Sequence, residues 1–539
     1  MNRTFAFAHA DCLFRRIVRF APVMLAVAAF GGGERCRGEV TLPALISDNM
    51  VLQRGTRANV WGKADPGESV TVRLGPDLAQ TMAGTDGNWG VKLNALPSGG
   101  PYDLTVSGKN TITVHNVAVG EVWVCAGESN MEYKVVAARD AQKEMAEADM
   151  PMVRVFVVKH DAQEEPQGDC EGAWVVCDPD SVKDFPAVAY FFARELNLEM
   201  RVPFGLIESA WGTSRVEAWT PRATLEKDPA LHGVLDRYDQ AVADYPEALT
   251  DYQGKVAAMG VALAARGASG GPVAEPVRPL EPGGAREPAA LFNGMIAPLA
   301  RYTIRGVLWY QGESDTGDPE LYGKLFPAMI EGWRTVWNEG EFPFFYVQLS
   351  GFLGRHAQPE ASNWAELREA QRQALNTPKT GMAVTVDTGV EHDMHPPDKQ
   401  DVGHRLALIA ESEVYGKEGV TTSGPVYAGM AVADGKAAIS FTHTDGRLVG
   451  RNGAALKGFQ IAGADGNFVW ADAKIDGDRV IVQSKDVPAP AAVRYAWADF
   501  PDCDLFNKDG LPAGPFRTDG VGAEASPAAT PGKRKHRAE

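Results

Sequence analysis

From Val40 to about Val119 the chain alternates short apolar runs with turn signals: NVWGKA, SVTVRL and YDLTVSG are separated by ADPGE and GTDGN. Alternation with a period of two, broken by Gly, Pro and Asp, predicts a small β-sandwich over residues 40–119. Beyond Gly120 the rhythm changes to apolar runs followed by longer amphipathic stretches. EVWVCAG, VRVFVV, a helix around Val182 to Met200 and PFGLIESAWG come first. After an insertion at about 220–290 the pattern resumes with IRGVLWYQGES, a helix from Pro319 to Trp337, the strand FPFFYVQLS, a helix near Trp364 to Leu375, the strand MAVTVD and a helix from Lys399 to Glu413. Strands alternating with helices predict a layered α/β core over residues 120–415. Residues 420–518 return to short alternating strands (KAAISFTHT, GFQIAGA, RVIVQSK, VRYAWAD), which predicts a second β-sandwich.

The edges of this pattern carry separate signals. The insertion opens as a charge-rich helical stretch to about Ala265, and residues 266–288 are too rich in Gly and Pro to pack, so they are expected to be mobile. Arg3, Arg15, Arg16 and Arg19 precede the apolar run Phe20 to Phe30 and three glycines. Basic, then apolar, then small is the order of a secretory signal, here residues 1–39, and it predicts a secreted or periplasmic protein. That run is too short to span a bilayer comfortably and no other stretch approaches twenty apolar residues, so no integral span is expected once the signal is removed. Residues 519–539 read as a disordered basic tail.

Composition narrows the function. A formal net charge of -17 on 539 residues, with Lys and Arg scattered, excludes nucleic acid as a partner. Six cysteines do not make a disulfide scaffold in a chain of this size, since Cys12 and Cys36 leave with the signal. Cys170 and Cys177 can pair across a short loop or stay as buried thiols, and Cys125, inside VWVCA, reads as a buried thiol. Nothing in the pattern sets an oligomeric state.

Three strand ends and one polar turn hold the candidate chemistry. GEVWVCAGESNM, residues 120–131, runs an apolar strand into Gly127-Glu128-Ser129-Asn130, the kind of strand end that opens into a crevice. A serine there becomes a nucleophile when a base reaches its hydroxyl. Met131 stands where the G-x-S-x-G elbow needs glycine, which disfavours an ordinary α/β-hydrolase. The base candidate is His395 in DTGVEHDMHPPDKQDVGHRLA, with Asp393 near enough to orient it and Asp387 as a second orienter. Metal ligation by His392, His395 and His404 is the weaker reading, because their spacing is not that of a zinc helix. GVLWYQGESD offers Gln311 as an oxyanion donor and Ser314 as a formal rival nucleophile. In PFGLIESAWGTSRVEAW, Gly212 follows a strand and can lend a backbone N–H to the same hole, while Trp211 and Trp219 can stack on a sugar.

These blocks together resemble the sialate O-acetylesterase family, a branch of the SGNH hydrolases, over nearly all of residues 40–515. ALISDNMVLQRG and VWGKADPGESV are similar to that family's opening sandwich, and GEVWVCAGESNM to its nucleophile block. VPFGLIESAWGTSRVEAW, LFNGMIAPL, GVLWYQGESD, FPFFYVQLSGF and DMHPPDKQDVGHRLA follow in family order. The resemblance implies an SGNH-like three-layer α/β/α core with a parallel sheet, flanked by N-terminal and C-terminal β-sandwiches. It implies serine O-acetylesterase chemistry on O-acetylated carbohydrate, with no metal or cofactor: Ser129 as nucleophile, His395 as base, Asp393 as third member. The backbone N–H groups of Ser129 and Gly212 and the side chain of Gln311 form the oxyanion hole, and Glu128, Asn130, Trp211 and Glu313 are expected at the substrate. Two departures bear on the substrate: the family's usual Gln before the nucleophile is Glu128 here, and its WGGT-like turn is WGTS. Many SGNH hydrolases also place the carboxylate three residues before the histidine rather than two. Esterases for acetylated xylan or pectin, and a carbohydrate-binding protein with a dead core, are the competing readings.

Overall fold

The computed structural model describes residues 39–266, 276, 278, 279, 282–451, 453 and 455–520. The expected signal, apart from Glu39, and most of the expected tail and the Gly/Pro-rich stretch lie outside the described residues. Among the described residues no helix is long and apolar enough to cross a membrane.

One strand organises the molecule. β1, Thr111–Gly127, is 17 residues long and runs without a break through Gly120, where the sequence pattern changes. Its first half pairs antiparallel with Gly99–Ser107 in an N-terminal sheet completed by Ser69–Leu74 and Asp77–Met82. A second pair, Arg57–Lys63 with Asn88–Ala95, accompanies that sheet, and Val60, Trp61, Val70, Val72, Trp89 and Leu104 are buried. The second half of β1 enters the central sheet with β2 (Met150–Val157), β3 (Trp174–Cys177), β4 (Phe204–Ala210), β5 (Gly306–Tyr310), β6 (Phe344–Val347) and β7 (Thr380–Ala383). The order is β7-β6-β5-β1-β4-β2-β3, parallel throughout except for β3 at the edge. Every residue of β4, β5 and β6 is buried, as strands covered on both faces require.

Besides the short helices Ala141–Ala146 and Arg222–Lys227, there are α1 (Ser129–Glu132), α2 (Ala187–Met200), α3 (His232–Arg266), α4 (Pro319–Trp337), α5 (Asn363–Gln373) and α6 (Lys399–Glu413) among the described residues. On one face, Trp123 of β1 meets Phe192 of α2 at 5.1 Å, and α6 packs on α2 where Gly403 lies against Phe191 and Phe192. On the other, Trp309 of β5 meets Phe326 and Trp333 of α4 at 6.2 and 5.9 Å. This is the three-layer α/β/α core. Helix ends follow local chemistry: the Asp318 side chain accepts Leu321 N–H to start α4, and Asp398 accepts Asp401 N–H to start α6. C-terminal to the core, a five-stranded and a four-stranded antiparallel sheet enclose Ile439, Phe459, Val480, Val482, Tyr495 and Phe516.

One expectation changes, and one open alternative is decided. The strand MAVTVD ends at Ala383, because Arg405 of α6 donates to Val384 O and Asp387 Oδ1, both at 2.6 Å, and draws the chain out of the sheet. Cys170 and Cys177 do not pair; both are buried free thiols, and the Cys177 Sγ lies 3.5 Å from Ala148 O.

Where β1 passes between sheets, Glu121 is fully buried and gathers Gln53 and Arg54 from the N-terminal unit and Arg305 from the lead into β5. Arg305 Nε lies 2.6 Å from it. Replacing Glu121 with Ala removes the charge-assisted or buried hydrogen bonds of three partners at once. Since both guanidinium groups are part-exposed and regain water, we expect a loss of about 2–3 kcal/mol, read as a lower urea midpoint. An unchanged midpoint would contradict the role given to Glu121.

Candidate active site

β1 and β5 lie side by side, with Gly127 opposite Tyr310, and both chains turn out of the sheet at their carboxyl ends. Gly127 has φ +142, and a Cβ there would run into the Tyr310 carbonyl, so only glycine lets β1 close on β5 at this point. The next residues are Glu128 and Ser129, the latter opening α1. His395 arrives from the turn before α6 and sets its Nε2 2.8 Å from Ser129 Oγ. That is the geometry through which an imidazole removes a serine proton. The Tyr133 ring stacks near the imidazole, 6.4 Å between centroids and 20° between planes.

Beneath this pair lies a buried polar floor. The Glu128 carboxylate accepts Gly312 N–H at 3.0 Å, Ser314 N–H at 3.3 Å and the Ser314 hydroxyl at 2.7 Å, tying the end of β1 to the end of β5. Asn130 is fully buried and donates to Glu313 Oε1 at 2.6 Å and Met394 O at 3.0 Å, while its Oδ1 accepts from Lys399 Nζ at 2.5 Å. Burial, and then repulsion from Glu128, push the Glu313 carboxyl well above the usual carboxylate range. Burial likewise pulls the Lys399 ammonium down to about 7, against the opposing pull of Glu313, Asp393 and Asp398.

At the side of the site, Gly212 follows β4, and a Cβ on it would lie 3.2 Å from the Ser129 Cβ. Glu132, one turn after Ser129, accepts the Gly212 N–H at 2.6 Å and meets His160 Nε2 at 2.8 Å. His160 in turn stacks on Trp211, with centroids 4.2 Å apart and planes at 8°.

Residues 285–410 match the family model described as carbohydrate esterase, sialic acid-specific acetylesterase. The sialate O-acetylesterase of Rattus norvegicus is 30% identical over 521 residues, covering 87% of this chain and 93% of the relative. The chain belongs to the sialate O-acetylesterase family. The Homo sapiens sialate O-acetylesterase is 28% identical, over 87% of this chain and 91% of that protein. A solved carbohydrate acetylesterase from Xanthomonas citri is 37% identical with a TM-score of 0.76, covering 89% of this chain and all of that one.

For this member of the sialate O-acetylesterase family, several site residues lie elsewhere than the sequence suggested. Gln311 is fully buried and gives its amide hydrogens to Ser214 O at 3.1 Å and Asp315 Oδ2 at 2.5 Å, which commits it to the loop after β4 rather than to an oxyanion beside Ser129. Asp393 accepts the backbone N–H of His395 at 2.9 Å, so it shapes the turn, and no carboxylate is bonded to the imidazole among the described residues. Asp387 is held by Arg405 and Arg451. Glu128, Asn130 and Glu313 are buried in the floor with inward partners rather than turned to a substrate; of the four expected substrate contacts, Trp211 alone is part-exposed. Trp219 is core. The Gly212 N–H lies beside Ser129 but is taken by Glu132. Ser314 spends its hydroxyl on Glu128, with no histidine beside it, and His404 pairs with Glu195 at 2.9 Å, away from His395. Among the described residues no group of three or more His, Cys, Asp and Glu could hold a metal ion.

Glu132, Tyr133, His160 and Lys399 were not singled out from sequence. Glu132 sits three residues after Ser129 on one helical turn, a spacing that points to it, whereas Lys399 opens α6 beyond the turn that holds His395, so helical spacing gave no signal for it. His160 follows β2 at the same carboxyl edge as Ser129, where the strand-end rule applies.

Glu128→Ala leaves the Gly312 and Ser314 N–H groups unpaired, at about 1–3 kcal/mol each where buried. Glu128→Gln keeps an acceptor oxygen. We expect the Ala variant to melt well below wild type and the Gln variant to melt close to it; equal melting temperatures for both would contradict the tie between β1 and β5.

Proposed function

We propose that this chain hydrolyses O-acetyl esters of carbohydrates through an acetyl-enzyme formed on Ser129. The Ser129 Oγ to His395 Nε2 hydrogen bond of 2.8 Å at the open end of the central sheet carries this reading. His395 takes the hydroxyl proton, Ser129 attacks the acetyl carbonyl, and the tetrahedral oxyanion is met by the Ser129 N–H and by the Gly212 N–H once Glu132 yields it. Collapse of this intermediate breaks the bond from the acetyl carbon to the sugar oxygen, and protonated His395 gives its proton to that departing oxygen. Water, deprotonated by His395, attacks the acetyl-enzyme and releases acetate, restoring the serine.

With no carboxylate on the imidazole among the described residues, its orientation rests on the turn that Asp393 closes and on the Tyr133 face. Trp211, stacked with His160 beside the hole, is the surface on which a sugar ring would lie. The names of the relatives make O-acetylated sialic acid the first sugar to test, with xylan and pectin acetates beside it. The intact serine–histidine pair argues against a purely binding role. The basic, apolar, small order of the N-terminus supports export, and recovery of a shortened chain outside the cytoplasm is the expected outcome.

Acetate release from an aryl acetate and from acetylated sugars tests the mechanism. Ser129→Ala and His395→Ala are each expected to lower kcat by about 10³-fold or more with unchanged folding. Asp393→Ala is expected to cost only about ten-fold, because it leaves the ring's own hydrogen bond to Ser129 in place. Retained activity in Ser129→Ala would end the proposal, and a loss in Asp393→Ala equal to that in His395→Ala would restore the triad.

A further inference from the structure

Asn130 and Met394 adjoin the two reacting residues in the chain, Ser129 and His395, and the Asn130 side chain joins them. Its Nδ2 donates to Met394 O at 3.0 Å and to Glu313 Oε1 at 2.6 Å. One amide thus spans from the nucleophile's neighbour to the base's neighbour. An amide has two ends of nearly equal shape, so its partners decide which way it faces. Were it reversed, its oxygen would point at the carbonyl of Met394 and the link would become a repulsion.

Lys399 decides the matter. It is buried at the first position of α6, four residues after His395, and its Nζ reaches Asn130 Oδ1 at 2.5 Å. In this arrangement Nζ is the donor to the amide oxygen, and in its charged form, with three hydrogens and no lone pair, it has no other way to meet the amide. The rings of Tyr133 and Tyr310 lie 4.7 and 5.3 Å from it and supply π faces in place of water. Tyr133 also flanks the His395 ring, so the lysine's cage and the base share a wall. A buried lysine is costly to desolvate, and here its ammonium is spent on the Asn130 amide and on the tyrosine that flanks His395.

We propose that Lys399 is a positioning residue for the reaction, orienting the Asn130 amide so that it clamps the Ser129 strand end to the His395 turn. The inference rests on Ser129 and His395 being nucleophile and base. Removing the lysine leaves the buried amide oxygen without its donor and loosens the clamp, so that the two reacting atoms lose their fixed separation while the surface that receives the sugar is untouched.

A double-mutant cycle in the full chain tests it, with Lys399→Met, Asn130→Ala and the double variant assayed for kcat and KM on 4-nitrophenyl acetate beside Ser129→Ala. Lys399→Met is expected to lower kcat by about 10²-fold, as a displacement near 1 Å does, with KM changed less than about two-fold. The double variant is expected to be no slower than Asn130→Ala, since a residue acting only through the amide has nothing further to lose. Losses that multiply, or a kcat in Lys399→Met within about two-fold of wild type, would overturn the assignment. If Lys399→Met does not fold, Lys399→Gln, neutral but still a donor, replaces it in the cycle; failure of both to fold would make the lysine a structural residue and overturn it as well. An active Ser129→Ala would instead overturn the underlying mechanism, whereas an inactive Ser129→Ala beside an unimpaired Lys399→Met would overturn this inference alone.

Discussion

The hydrogen bonds from Gly312 N–H, Ser314 N–H and the Ser314 hydroxyl into the Glu128 carboxylate hold the ends of the two central strands together, and the site stands on that junction. β1 arrives from the N-terminal sheet, crosses into the parallel sheet and stops against β5 at Gly127, where only glycine can approach Tyr310 so closely. Ser129 is therefore presented by a strand anchored at both ends. His395 is presented by a turn closed by Asp393 and followed at once by α6, so both reacting groups sit on short links to rigid elements. Precision of this kind is what acyl transfer between two side chains demands.

Much of the site's polarity faces inward. Glu128, Asn130, Glu313, Asp315, Gln311 and Lys399 are all buried under the serine and histidine. Burial drives the carboxyls of Glu313 and Asp315 well above the usual carboxylate range. Such a network contributes little net stability for its desolvation cost, yet it fixes one arrangement among the many that an apolar floor of the same volume would allow. The surface residues of the site are few by comparison: Trp211, His160 and Glu132 line the side next to Gly212.

The layers of the fold were legible in the chain because periodicity reports directly on local structure. The helices Pro319–Trp337 and Lys399–Glu413 lie where their patterns put them. The end of β7 was not legible, since Arg405, distant in sequence, draws Val384 and Asp387 away from the sheet. The proximity of Ser129 to His395 was legible for a different reason: a serine at a strand end and a histidine in a polar turn have few other partners in an α/β crevice. Which way Gln311, Glu128, Asn130 and Glu313 turn was not, because a polar residue at a strand end has the same signature whether it faces the substrate or the floor. Only the three-dimensional partners, Asp315 for Gln311 and Lys399 for Asn130, separate the two.

The central claim is that Ser129 carries the acetyl group during turnover. Rapid acid quench of the enzyme with an excess of aryl acetate, followed by mass analysis of its peptides, measures this directly. The account predicts one acetyl group per chain on the peptide containing Ser129, formed faster than it decays and missing when His395 is replaced. Acetylation of Ser314 in its place, or turnover with no acetylated peptide at all, would contradict it.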